Sequence, residues 1–167
     1  NGQPLTKGEM QQLLDKVKEL RTPLALNGFI NGKSVTITRD NPADKLHFGK
    51  DVSLTIYNRL EIASGKSFYQ IARQPKFEHH SFILPKRRGD LVLLINGMPV
   101  IHIELKSSKV PAMHAVNQIT DKYIPEGVFT DCIFSLVQIF VAMNPEEMMY
   151  FANPGIDIKF NKAFCFH

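Results

Sequence analysis

A chain of 167 residues, 44% hydrophobic and 22% charged, is long enough to bury a core without staples and has the make-up of an ordinary globular protein. Its two cysteines, Cys132 and Cys165, lie far apart with no CxxC spacing, which argues against a disulfide framework or a structural zinc site and for a reducing, cytoplasmic setting. No apolar run approaches the ~20 residues of a membrane-spanning helix, and a formal charge of +4 is only a mild inducement to a polyanionic partner.

The first element is a helix. Thr6-Lys-Gly-Glu9 has the pattern of a capping box, and Met10, Leu13, Leu14, Val17 and Leu20 recur as one apolar stripe until Pro23 stops it. A strand is predicted at Ser34 to Arg39 after an Asn31-Gly32 turn, then a polar loop from Asn41 to Lys50. Alternating Val52, Leu54 and Ile56 mark a half-buried strand over Asp51 to Tyr57, and Ser67 to Arg73 repeats the pattern. Pro75 to Gly89 carries two prolines, His79-His80 and the cluster Lys86-Arg87-Arg88. Leu91 to Ile95 and Met98 to Lys106 are the strongest strands. A helix from about Pro111 to Tyr123 should bury Ala112, Ala115, Val116, Ile119 and Tyr123, with Pro111 tolerated at its start. Strands at Phe134 to Ala142 and Glu147 to Asn153 close the pattern. The order predicts a single domain over residues 1–167, an α/β (α+β) fold with a mixed central sheet flanked by helices.

The residues that carry chemistry surround the Leu91 to Lys106 pair. Alternation puts His102, Glu104 and Lys106 on one face of their strand, within an otherwise apolar run where charge needs a partner. Asp90 reaches that face only if the hairpin register allows it. A two-residue Asn96-Gly97 loop sets Asp90 opposite Ile103, on the wrong side. A three-residue loop, or a bulge with the same effect, sets it opposite His102 and diagonal to Glu104. Two carboxylates, the Leu105 carbonyl and waters could then hold Mg²⁺, with Lys106 stabilising charge on a phosphoryl oxygen. A Glu-x-Lys pair also occurs on plain solvated strand faces, so the residues leave both readings open.

Gly89-Asp90 through Lys106, followed by Ala115-Val-Asn-Gln118, Ile124-Pro-Glu126 and the strands Gln138 to Asn144 and Met148 to Asn153, resembles the nuclease domain of the R (restriction) subunit of type I restriction enzymes. That domain is a member of the PD-(D/E)xK nuclease superfamily. The likeness runs over residues 67 to 155 and only loosely into the first third. It implies a restriction-endonuclease-like fold, Asp90 and Glu104 as metal ligands, Lys106 as catalytic lysine, and hydrolysis of double-stranded DNA with Mg²⁺. It also implies partners: the motor domains of the R subunit and the methyltransferase and specificity subunits. The family carries a Gln-x-x-x-Tyr motif after the lysine. Gln118 fits its first position, but the fourth residue on is Lys122, and Tyr123 comes one place late. On a straight helix that turns the tyrosine by about 100°, leaving it a core residue unless the helix distorts.

The ATP-binding P-loop of such a motor is missing from this sequence, so ATP is expected to act only through the absent motor domains. Lys86, Arg87, Arg88 and Lys109 are candidate DNA-backbone contacts, with a solvated loop as the plain alternative. His79-His80 point apart in an extended loop and make a poor metal pair. Glu61 offers an upstream acid, and His102 a partner to Glu104 or an ordinary sheet histidine. Rival readings are a DNA-repair or recombination nuclease of the same superfamily and a non-catalytic DNA-binding or subunit-docking module.

Overall fold

The computed structural model describes residues 3–20, 25, 28–29, 34–55, 57–77, 86–130, 132–155 and 160–167. They fall into two compact units, Asn1–Lys66 and Ser67–His167. His79-His80, the Asn31-Gly32 turn and the Pro23 helix stop lie outside the described residues.

In the first unit, α1 (Lys7–Lys18) begins with the expected box: the Thr6 side chain accepts from the Glu9 amide while the Glu9 carboxylate accepts from the Thr6 amide. Leu13 and Val17 supply its buried stripe. Strands β1 (Ser34–Thr38) and β2 (Asp51–Thr55) pair antiparallel, with Val35 and Ile37 buried. Gln12 grips the Thr38 peptide from both sides, accepting from its N–H and donating to its carbonyl. Glu9 does more than cap. It is fully buried and also receives Arg39 Nη1 at 2.7 Å and the amides of Asp40 and Asn41, and Arg39 reaches on to Asp44. Burial pushes the Glu9 carboxyl up, but the Thr6 and Asp40 amides, then the Arg39 charge and the Asn41 amide, outweigh it and hold the group below its ordinary value. A short helix, α2 (Arg59–Ala63), is capped by Asn58 and carries Glu61.

The second unit holds a five-stranded sheet of β3 (Tyr69–Arg73), β6 (Leu91–Ile95), β7 (Met98–Leu105), β8 (Ile139–Met143) and β9 (Met148–Ala152), in the order β3-β6-β7-β8-β9. A two-stranded ladder of β4 (Lys76–Phe77) and β5 (Arg87–Arg88) stands beside it. Every neighbour in the large sheet is antiparallel except β7 and β8, which run parallel. A parallel pair needs a crossover, and that crossover contains α3 (Ala112–Gln118). Its small residues, Ala112 and Ala115, with Val116, let the helix join the core that includes Phe140, Ala142, Met149 and Phe151. Glu147, from the β8–β9 turn, accepts from the Ala112 amide and so caps a helix that Pro111 leaves uncapped. Phe77 is the aromatic hub, meeting His102, Tyr123, Phe129 and Phe134 edge-on.

Two expectations are corrected, and of the two routes foreseen for the β6–β7 register one is excluded. The strand foreseen from Phe134 begins only at Ile139, because Ile133–Leu136 coils into a 3₁₀ turn stabilised by Ser135 Oγ donating to the Cys132 carbonyl. The helix foreseen to Tyr123 is α-helical only to Gln118, and Ile119–Tyr123 is a π-helical turn. Between β6 and β7 the loop is the tight Asn96-Gly97 pair, both residues at positive φ, so the three-residue loop is not formed.

Candidate active site

A bulge sets the register of β6 against β7. Ile95 pairs with Met98 and Leu94 with Pro99, but Leu93 pairs with Ile101, so Val100 is the extra residue on β7. Val92 then faces His102 and Leu91 faces Ile103. Continued one step, the same register sets Asp90 across from Glu104. The bulge thus restores the shared face, but from the β7 side. Asp90 opposes Glu104 directly, where the sequence reading set it opposite His102. Asp90 Oδ2 also accepts the Leu105 amide at 2.8 Å, tying the two strand ends together.

Glu104 is buried and is the centre of a converging set. Gln118 Nε2 donates to its Oε1 at 2.5 Å, and Lys106 Nζ donates to Gln118 Oε1 at 2.6 Å. One amide therefore reads the acid with its NH₂ and the base with its carbonyl. Tyr123 joins them: its hydroxyl accepts from Gln118 Nε2 at 2.5 Å and lies 3.2 Å from both Glu104 Oε1 and the Arg88 carbonyl. Burial first, and then the Glu104 charge, push the phenol up to about 12, so it holds its proton at neutral pH as a donor to one of those oxygens.

The π-turn explains how Tyr123 reaches Gln118 one residue late. Ile124 N–H donates to the Ile119 carbonyl and Val128 N–H to that of Tyr123, each bond spanning five residues. Where five residues close one ring, the fifth residue occupies the place that the fourth has in an α-turn. The buried position and the polar contact, which the spacing made alternatives, are both realised.

The basic residues separate. Arg87 lays its guanidinium on Glu126, Nε to Oε2 at 2.6 Å and Nη2 to Oε1 at 2.5 Å. That pairing raises its affinity for its proton and gives it a structural task, pinning β5 to the turn beyond the π-helix. Lys86, Arg88 and Lys109 are exposed. Glu61 belongs to the first unit. Sequence reasoning missed the pairing of Glu126 with Arg87, the place of Phe77 and the Arg88 carbonyl, since none of these contacts carries a local signal.

The donor set can be compared with a cation's needs. No three His, Cys, Asp or Glu side chains among the described residues stand together as a ready cage. Two opposed carboxylates and solvent are nevertheless what Mg²⁺ uses, because it keeps most of its waters. Asp90 spends Oδ2 on Leu105, and its Oδ1 takes no hydrogen bond from the described residues. Glu104 takes contacts from Gln118, Tyr123 and His102 on about four lone-pair positions. Hard oxygen donors on one sheet face fit that ion.

A mixed five-stranded sheet with the crossover helix on one face, and an Asp, a Glu and a Lys gathered at one end of its central strands, is a restriction-endonuclease-like α+β fold. The chain matches the family model for the type I restriction enzyme R protein N terminus over residues 10–156, and it belongs to that family. It is 31% identical over 156 residues to the type I restriction enzyme SauCOLORF180P endonuclease subunit of Staphylococcus aureus strain COL, covering 91% of this chain and 14% of that protein. It is 30% identical over 157 residues to the SsaAORF53P endonuclease subunit of Staphylococcus saprophyticus, covering 92% and 14%. Over 67 residues it is 39% identical to the EcoprrI endonuclease subunit of Escherichia coli, 40% of this chain and 21% of that protein. The chain therefore spans about one seventh of the Staphylococcus relatives it matches. No helix among the described residues is long and apolar enough to cross a membrane.

Proposed function

We propose that this chain is the Mg²⁺-dependent endonuclease domain of a type I restriction enzyme, a member of the PD-(D/E)xK superfamily that hydrolyses phosphodiester bonds of double-stranded DNA. The observation that carries the reading is the hydrogen-bonded line from Lys106 through Gln118 to Glu104, with Tyr123 on the same carboxylate oxygen and Asp90 across the sheet, in a member of this family. Asp90, Glu104 and the Leu105 carbonyl would hold the ion. Mg²⁺, when bound, supplies Lewis acidity to a water and to the scissile phosphate.

The chain's own residues do the rest. Gln118 fixes Glu104 and Lys106 in one hydrogen-bonded line, so that the lysine charge stays beside the acid and is available to a phosphoryl oxygen as negative charge grows there. Tyr123 locks the same carboxylate from behind. Lys86, Arg88 and Lys109 meet the DNA backbone, while Arg87 is committed to Glu126. The motor, methyltransferase and specificity subunits supply translocation and sequence recognition, and ATP acts through the motor.

The test is DNA cleavage by the assembled enzyme carrying Asp90→Ala, Glu104→Ala or Lys106→Ala. Each should lose cleavage by at least about a hundredfold, equivalent to about 2.7 kcal/mol of barrier, with ATP hydrolysis retained. Full cleavage by all three variants would exclude the site.

A further inference from the structure

We propose that His102 is a positioning residue for Glu104: it holds Oε2 from the neighbouring position on the same strand face and so leaves Oε1 turned to Gln118. This deepens the nuclease reading and rests on it.

His102 is fully buried in β7 on the face it shares with Glu104. Its Nε2 lies 3.1 Å from Glu104 Oε2, while Gln118 and Tyr123 address Oε1. The two oxygens are therefore served from different sides. Its Nδ1 has no hydrogen-bond partner among the described residues. A proton there would be a buried, unsatisfied donor, so we assign the ring proton to Nε2, which donates to the carboxylate.

The ring cannot turn away easily. Phe77, Phe129, Phe140 and Tyr123 surround it with centroids 5.2–6.1 Å from its own. Gly89, one residue before Asp90, leaves the room it needs: a Cβ there would stand 2.6 Å from His102 Cε1. An imidazole in an aromatic cage sacrifices hydration that a leucine would not. Here its single polar contact is a carboxylate proposed to bind metal. Such hydrogen bonds to ligand carboxylates set the orientation and affinity of a metal site.

The experiment compares His102→Leu, which keeps volume and removes the donor, with His102→Gln, whose amide nitrogen can reach the Nε2 position. His102→Asn places its amide at the Nδ1 position and cannot. In the intact protein, Mn²⁺ binding is titrated, counting only the binding that Glu104→Gln abolishes, and cleavage is measured beside it. His102→Leu and His102→Asn should bind about ten- to a hundredfold more weakly, and His102→Gln within about threefold of the parent. Folding is checked by thermal melting, and His102→Gln keeps the test decisive if His102→Leu does not fold. Parent affinity in a folded His102→Leu protein, or failure of His102→Gln to recover it, overturns the proposal while leaving the nuclease reading intact. Absence of any Glu104-dependent Mn²⁺ binding in the parent overturns the metal reading itself, and the role of His102 with it.

Discussion

Replacing Gly89 by alanine should destabilise the second unit, although nothing in the backbone requires glycine there. Gly89 is not one of the positive-φ glycines. On conformational entropy alone, alanine at such a position would stabilise by about 0.4–1 kcal/mol. The added methyl, however, would lie 2.6 Å from His102 Cε1 and 2.7 Å from Phe77 Cζ, where carbon atoms prefer about 3.5–4.0 Å. Roughly 1 Å must open on each side. Neither ring is free to give it. Phe77 is backed by Phe129, Phe134 and Tyr123, and His102 is tied to Glu104. Overpacking costs about 1–3 kcal/mol, and two rings braced from behind put this site near the top of the range. At about 2–4 °C per kcal/mol for a chain of this size, Gly89→Ala should lower Tm by about 4–10 °C. Differential scanning calorimetry measures it. In a Phe77→Leu background the same substitution should cost at least about 0.5 kcal/mol less, the coupling expected of residues in contact. An unchanged or raised Tm for Gly89→Ala, or strict additivity with Phe77→Leu, would refute the packing argument.

Arg39→Met should cost about 3–5 kcal/mol in urea denaturation, since it leaves Glu9 and Asp44 as buried charges without their cation. Acid should unfold the first unit through the same groups. Glu9 is held low as described, and Asp44 chiefly by its hydrogen bond to His47. With folded values depressed, the unfolded chain binds more protons in acid, so their stabilisation is complete above about pH 5 and fades as pH falls below about 4. Melting curves from pH 6 to 3 should show this, with a flatter dependence for Glu9→Gln. Tyr123→Phe keeps the ring in the core but removes the hydroxyl from Gln118 and Glu104. It should cost about 1 kcal/mol of stability and reduce cleavage about tenfold, read by urea titration and by plasmid nicking. Glu147→Ala uncaps α3 and should cost about 0.5–2 kcal/mol, again by urea titration.

Much of the second unit was legible because its signals are local. Alternation alone put His102, Glu104 and Lys106 on one strand face, and the Asn96-Gly97 pair marked the turn before β7. Parity was open in the sequence, which made Asp90 depend on a register shift, and the structure has one. What the sequence could not show was which strand would carry the bulge. The structure puts it on β7, where Val100 is the extra residue between Pro99 and Ile101. Arg87 looked like a solvent-facing cation beside the site because its partner, Glu126, is thirty-nine residues away.

By itself the sequence determined the family through its resemblance, and through its local pattern the shared strand face of His102, Glu104 and Lys106, the capped first helix and the apolar faces of the helix and strands around them. These follow from spacings of two to four residues, within reach of local periodicity. Only the tertiary structure decided that Asp90 stands across from Glu104 and that Tyr123 meets Gln118. The first depends on an extra residue accommodated in β7. The second depends on an extra residue accommodated in a π-turn, matched by hydroxyl contacts to Glu104 and Arg88 that lie nineteen and thirty-five residues back along the chain. In both places one residue too many for the regular element is absorbed where long-range pairing compensates the irregularity, and that compensation has no signature in the local sequence.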